Sequence, residues 1–184
     1  LNAFLEHKDS FHLMKTIMAN YILEGIYFYS GFMFFYNLGR MGKMSGSAQE
    51  IRYINRDENT HLWLFRNMII ELQKEEPTLF TPEKIEIYRN MLKRGVEEEI
   101  AWGQYVLGNR IEGLTMDMVS DYIHYLGNLR AFSLNFEPLY EGFETEPEAM
   151  KWVSIYSNAN NIKTDFFEAK STAYAKSSAI EDDL

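Results

Sequence analysis

From Ile22 to Phe35 the chain is apolar on almost every helical face, and a single carboxylate, Glu24, stands inside that run. No Pro interrupts the stretch, and six of its fourteen residues are aromatic. A helix apolar all round is covered by sister helices or by a partner. A membrane span is the rival reading, but Glu24, the neighbouring Asn20 and the aromatics make it a poor one. An ionised Glu in such surroundings is tolerated only if it is neutralised, paired or bound to a cation. The run therefore constrains the fold and also asks for something to meet Glu24.

The remaining pattern is helical. Four Pro and eleven Gly leave long periodic segments, and no alternating run reads as a strand, so the chain is expected to be all-α. A first helix should be capped near Asp9-Ser10 and continue to about Leu38, with 39–47 as the connecting loop. A second is expected over about Ala48 to Lys74, with Ile54, Glu58, His61 and Phe65 near one stripe. Thr81 and Pro82 open a third, running to about Leu107, and a fourth should extend from about Thr115 to Ala131. Pro138 and Pro147 bound an irregular segment.

Glu58 and His61 are three residues apart, hence on one helix face, where an oxygen and an imidazole nitrogen can reach the same ion. That donor set suits iron or manganese and also admits zinc. Dimetal-carboxylate bundles take one Glu from each of two helices and a Glu-x-x-His from each of two others. This chain supplies one of each. A lone Glu-x-x-His arises by chance, and a Glu in an apolar run can be a helix-end residue. The two together, in order on successive helices, favour half of a dinuclear metal site. Asp9-x-x-His12 and Asp121-x-x-His124 carry a shorter acid and read as surface or packing residues, and Phe4 stands three before His7.

With 184 residues the chain fits one domain with a sizeable core. A formal net charge of −9 argues against a basic nucleic-acid surface. No Cys is present, which excludes disulfides and thiolate ligands and suits a reducing cytoplasm. Residues 1–8 lack a basic flank before an apolar run, so no secretory signal is read there. After about residue 164 the aromatic core composition gives way to small, polar and acidic residues, read as a flexible tail over 165–184 beyond a helical domain over 1–164.

Glu24 with Phe28 and Phe32, then Ser45 through Leu62 including Asn55-Arg56-Asp57-Glu58-Asn59-Thr60-His61, resembles the second half of the radical-generating small subunit of class I ribonucleotide reductase. Glu99-Ile100-Ala101-Trp102, Tyr122 to Arg130, Glu137-Pro138-Leu139-Tyr140 and Asp165-Phe166-Phe167-Glu168 extend the likeness, in order, over nearly the whole chain. The resemblance implies a ferritin-like helical bundle, present here as one half. It implies Glu24, Glu58 and His61 as metal ligands. They would be three of six in a dinuclear iron or manganese centre, completed by a missing N-terminal half that also carries the usual radical Tyr. A divided gene, a cleaved precursor and an incomplete record all remain open as the origin of the start at Leu1.

By the same resemblance, Asp57 accepts a hydrogen bond from a His ligand of the missing half and joins a radical-transfer chain. From the residues alone it could equally form a salt bridge with Arg56. Phe28, Phe32 and Ile54 match apolar positions lining the family's radical pocket, although core packing asks for the same types. Tyr174 matches a redox Tyr, and Ile180 to Leu184 resemble the peptide that docks on the large subunit. The implied partners are the N-terminal half, the large subunit and a second small subunit, with neither nucleic acid nor membrane. Two alternatives share these helices: a related dimetal ligand-binding oxidase, against which the tail counts, and a metal-free helical interaction module.

Overall fold

A computed structural model describes residues 9–157. Six α-helices occupy most of this span: α1 (Ser10–Gly25), α2 (Tyr29–Arg40), α3 (Ser45–Glu75), α4 (Pro82–Val106), α5 (Met116–Ser133) and α6 (Lys151–Ser157), with 3-10 turns at Pro77–Phe80 and Glu148–Met150. Among the described residues the only extended pairing is an isolated bridge between Ile111 and Leu114, so the fold is all-α. The proposed domain limit at residue 164 and the tail lie outside the described residues.

Helix starts follow local chemistry. The Asp9 carboxylate accepts from the His12 backbone N–H at 2.9 Å, and the Thr81 and Thr115 hydroxyls accept from the N–H groups of Lys84 and Met118. Each side chain satisfies a donor that the first helical turn leaves without an intrahelical partner. Asp9 and His12 also pair through their side chains at 2.7 Å, which accounts for that Asp-x-x-His spacing. His124 instead packs against Tyr140 and Phe143.

The expected first helix is two helices. α1 ends at Gly25, and α2 starts at Tyr29 after Phe28 adopts a left-handed backbone with φ of 78°. Nothing in the local apolar pattern marks this break. Side chains from far along the chain hydrogen-bond the backbone on both sides of it.

α1 and α2 rise together, α3 returns alongside them, α4 rises and α5 descends. The pairings trace these directions: Glu24 faces His61 while Tyr36 faces Asn55, and Ile22 meets Gly95 while Ser30 meets Gly103. The core between them holds Met14, Met18, Tyr21, Met33 and Tyr36 from the first pair of helices and Ile26 from the break between them, together with Leu62, Ile69, Tyr88, Leu92, Val96, Ile123 and Leu126. On α3 the inward stripe runs Ile51, Asn55, Glu58, Leu62, Phe65, Ile69, alternating steps of four and three. Ile54 therefore lies at the edge of the expected stripe, 44% exposed. Among the described residues no helix is long and apolar enough to cross a membrane.

Candidate metal centre

Glu24 sits in the last turn of α1, and Glu58 and His61 sit in the middle of α3. Their approach rests on a glycine. Gly25 has no side chain to hold the helices apart, and a Cβ built there would stand 2.8 Å from Leu62 Cδ1. Because Gly25 follows Glu24 and Leu62 follows His61, this contact brings the two polar residues into register. His61 Nδ1 lies 2.9 Å from Glu58 Oε2 and 3.6 Å from Glu24 Oε2.

One donor atom from each of the three residues falls within 4.8 Å of the other two. Two ligands on opposite sides of a small divalent ion, each at about 2.1 Å, stand about 4.2 Å apart. Side-chain rotation of about half an ångström thus separates the observed group from a coordination sphere. Two hard oxygens and an imidazole fit iron or manganese, and three donors fill half of what a dinuclear carboxylate centre requires. The Glu24 and Glu58 side chains are only 16% and 20% exposed, while His61 is 54% exposed.

The electrostatics show the cost of this arrangement. Burial, then a hydrogen bond and repulsion from Glu58, raise the Glu24 carboxyl above its ordinary range, against an opposite pull from His61. The hydrogen bond with Glu58, reinforced by the Glu24 charge, raises the His61 imidazole. Protons and metal ions therefore compete for one concentration of negative charge.

Asp57 stands outside this group. It is 63% exposed, with Oδ1 at 3.4 Å from Arg56 Nε, and thus has the simple salt-bridge arrangement that its sequence neighbour allows. Phe28 and Phe32 line one groove with their rings 6.3 Å apart, beside Tyr27, Phe35 and Trp102. Ile54 does not line that groove, and α3 contributes Ile51 there instead, because Ile51 belongs to the inward stripe. Tyr174 and Ile180 to Leu184 lie outside the described residues.

Two buried charged groups escaped sequence reasoning as functional candidates. Glu99 is 3% exposed and accepts from the Ser30 backbone N–H at 2.8 Å. In the sequence it is the last of three consecutive acids, Glu97-Glu98-Glu99. Its phase, in step with Leu92, Val96 and Gly103, was the available signal. Arg130, also buried, donates from Nε to the Gly25 carbonyl at 2.9 Å.

Residues 1–147 match the family model described as "Ribonucleotide reductase, small chain". The chain belongs to the ribonucleotide reductase small-chain family. It is 68% identical over 183 residues to a ribonucleoside-diphosphate reductase subunit beta of Treponema pallidum (strain Nichols), covering 100% of this chain and 52% of the relative. A subunit beta of Halalkalibacterium halodurans is 40% identical over 176 residues, covering 96% of this chain and 50% of its own length. The ribonucleotide reductase R2 subunit from Clostridium botulinum superposes with a TM-score of 0.80 at 47% identity, over 85% of this chain and 49% of that one. The chain thus spans about half the length of the curated relatives it matches, and its helices form part of a ferritin-like helical fold.

Proposed function

We propose that this chain contributes the second half of a ribonucleoside-diphosphate reductase small subunit, with Glu24, Glu58 and His61 as its share of a dinuclear iron or manganese centre. One observation carries the reading: in a chain of this family, those three side chains converge from α1 and α3 to within 4.8 Å. When bound, such a centre supplies the one-electron oxidant that starts reduction of ribonucleotides on a large subunit. Glu24 and Glu58 would offset the ionic charge, and the metal would in turn compensate the otherwise costly ionised Glu24. His61 presents Nδ1 toward both carboxylates. The remaining ligands would come from a companion N-terminal half. Exposed on α3, Asp57 would accept a hydrogen bond from an imidazole of that half.

Tyr174 would relay the electron, and Ile180 to Leu184 would dock on the large subunit, with the small subunit acting as a dimer in the cytoplasm. The groove beside Phe28 and Phe32 would insulate the oxidant. In a reconstituted enzyme, Tyr174→Phe should keep large-subunit binding and lose ribonucleotide reduction, because Phe is much harder to oxidise. Removing 180–184 should lose the binding itself. Reduction at the unmodified rate by Tyr174→Phe removes Tyr174 from the path.

The central test is Mn(II) titration followed by electron paramagnetic resonance. The chain alone should bind weakly, and adding a polypeptide spanning the first half of the Treponema relative should create two tight sites. Glu24→Ala, Glu58→Ala and His61→Ala should each abolish them. Two tightly held ions on the isolated chain, or binding indifferent to all three substitutions, would overturn the proposal.

A further inference from the structure

Glu24 occupies a precarious position for a ligand, because the last turn of a helix carries carbonyls without intrahelical partners and is the first to fray. α1 ends at the next residue, and the chain crosses a three-residue break, Ile26 to Phe28, before α2 begins. Two buried charges bracket the break. On one side the Arg130 guanidinium donates to the Gly25 carbonyl at 2.9 Å and also reaches the Tyr29 hydroxyl at 3.0 Å. On the other, the Glu99 carboxylate accepts from the Ser30 N–H at 2.8 Å. Tyr21, one turn before Gly25, donates to the Arg130 carbonyl at 3.0 Å and so ties α1 to the same turn of α5.

The signs are those that helix ends favour: a cation at the C-terminus of α1 and an anion at the N-terminus of α2. Among the described residues neither Glu99 nor Arg130 forms an ion pair with any acid or base. Arg130 is met by the Gly25 carbonyl and the Tyr29 hydroxyl, and Glu99 by the Ser30 N–H, which opposes the burial that raises its carboxyl. Both come from helices, α4 and α5, that contribute nothing to the Glu24, Glu58 and His61 group. A buried charge spent on an interrupted helix is expensive unless the interruption matters, and this one begins at the residue after a ligand.

We propose that Glu99 and Arg130 are positioning residues that hold the end of α1, and thereby Glu24, in reach of Glu58 and His61. The inference rests on the metal reading above and goes beyond it by assigning a supporting role to two residues that touch no ligand. Arg130 restrains the carbonyl beside Glu24 directly. Glu99 fixes the start of α2, so that the left-handed Phe28 cannot relax into a continuous helix and draw the end of α1 with it.

The test is a set of double-substitution cycles on the full chain, read by Mn(II) affinity from the free-ion resonance signal. Glu99→Met keeps the volume but removes the acceptor, and should weaken Mn(II) binding by at least about fivefold, whereas Glu99→Gln, which still accepts from Ser30, should restore most of it. Arg130→Met should weaken binding at least as much. In a Glu24→Ala background the same changes should leave the residual affinity within about 1.5-fold, since they act through Glu24. Amide hydrogen exchange supplies a metal-free arm. Residues 24–30 should lose protection in Glu99→Met and Arg130→Met, while the middle of α3 keeps it, which also shows that the variants fold. Equal losses of Mn(II) affinity with and without Glu24, or unchanged exchange over 24–30, overturn the positioning role. Mn(II) binding indifferent to Glu24→Ala in the parent overturns the metal reading itself, and with it this proposal, a result recognisable without any substitution at Glu99 or Arg130.

Discussion

Gly25→Ala sets two measurable effects against each other. In its favour, Ala is a better helix former than Gly by about 0.5–1 kcal/mol in a helix interior, although Gly25 is the last residue of α1 and cannot realise the whole gain. Against it, the new methyl would meet Leu62 Cδ1 at 2.8 Å, Arg130 Nε at 3.0 Å and Arg130 Cδ at 3.2 Å. Ordinary carbon contacts lie at about 3.5–4.0 Å, so Leu62 or the helix axis must yield by roughly 0.7 Å or more. Overpacking of this kind costs about 1–3 kcal/mol and should outweigh propensity. The net loss, about 0.5–2.5 kcal/mol, corresponds to a fall in Tm of about 2–8 °C for a chain of this size. Paired thermal melts by far-UV circular dichroism in metal-free buffer measure it. Leu62→Ala, which should cost about 2–5 kcal/mol in the parent, should cost at least about 1 kcal/mol less beside Gly25→Ala, because the vacated space accepts the methyl. A raised Tm for Gly25→Ala, or strictly additive costs, would show that the close approach of α1 and α3 does not depend on the missing side chain.

Tyr36→Phe should lower the unfolding free energy in urea by about 1–3 kcal/mol, because Asn55 Nδ2 donates to the Tyr36 hydroxyl at 2.9 Å and both residues are fully buried. A change too small to resolve would mean that the Asn55 amide finds another acceptor. The Glu24 carboxyl is raised first by burial and then by Glu58, so its stabilising contribution is present below its unfolded value of about 4.3 and is lost as pH rises through the folded one. In metal-free buffer Glu24→Gln should therefore gain Tm relative to the parent as pH rises above the unfolded value of about 4.3. A gap that moves the other way refutes the assigned cause.

The long helices were legible because three- and four-residue periodicity, Pro82 and the capping residues are local signals, and the structure places α3, α4 and α5 within a few residues of the expected limits. The pairing of Glu58 with His61 was legible for the same reason, since helix geometry alone puts them on one face. The break at Ile26 to Phe28 was hidden. The groups that meet its two ends lie far along the chain, with Ser30 and Glu99 69 residues apart and Gly25 and Arg130 105 apart, and Phe is not a residue that favours positive φ. Ile54 was misplaced because an apolar residue at helical spacing from Glu58 suits either the buried stripe or its edge. Only the neighbouring helices decide, and they select Ile51 and Asn55.

α3 contains 31 residues, which at 1.5 Å per residue makes a rod about 46 Å long. Thirteen of its residues precede Glu58 and fourteen follow His61. Each end can unwind by two or three turns before the ligand pair feels it, so breathing of the loop at 41–44 or of the turn after Glu75 does not reach the pair. Opening of that half of the donor group is thereby tied to loss of the central helix itself. The backbone slack in the site is confined to Glu24, and a held ion would leave through fluctuation on that side rather than through loss of α3.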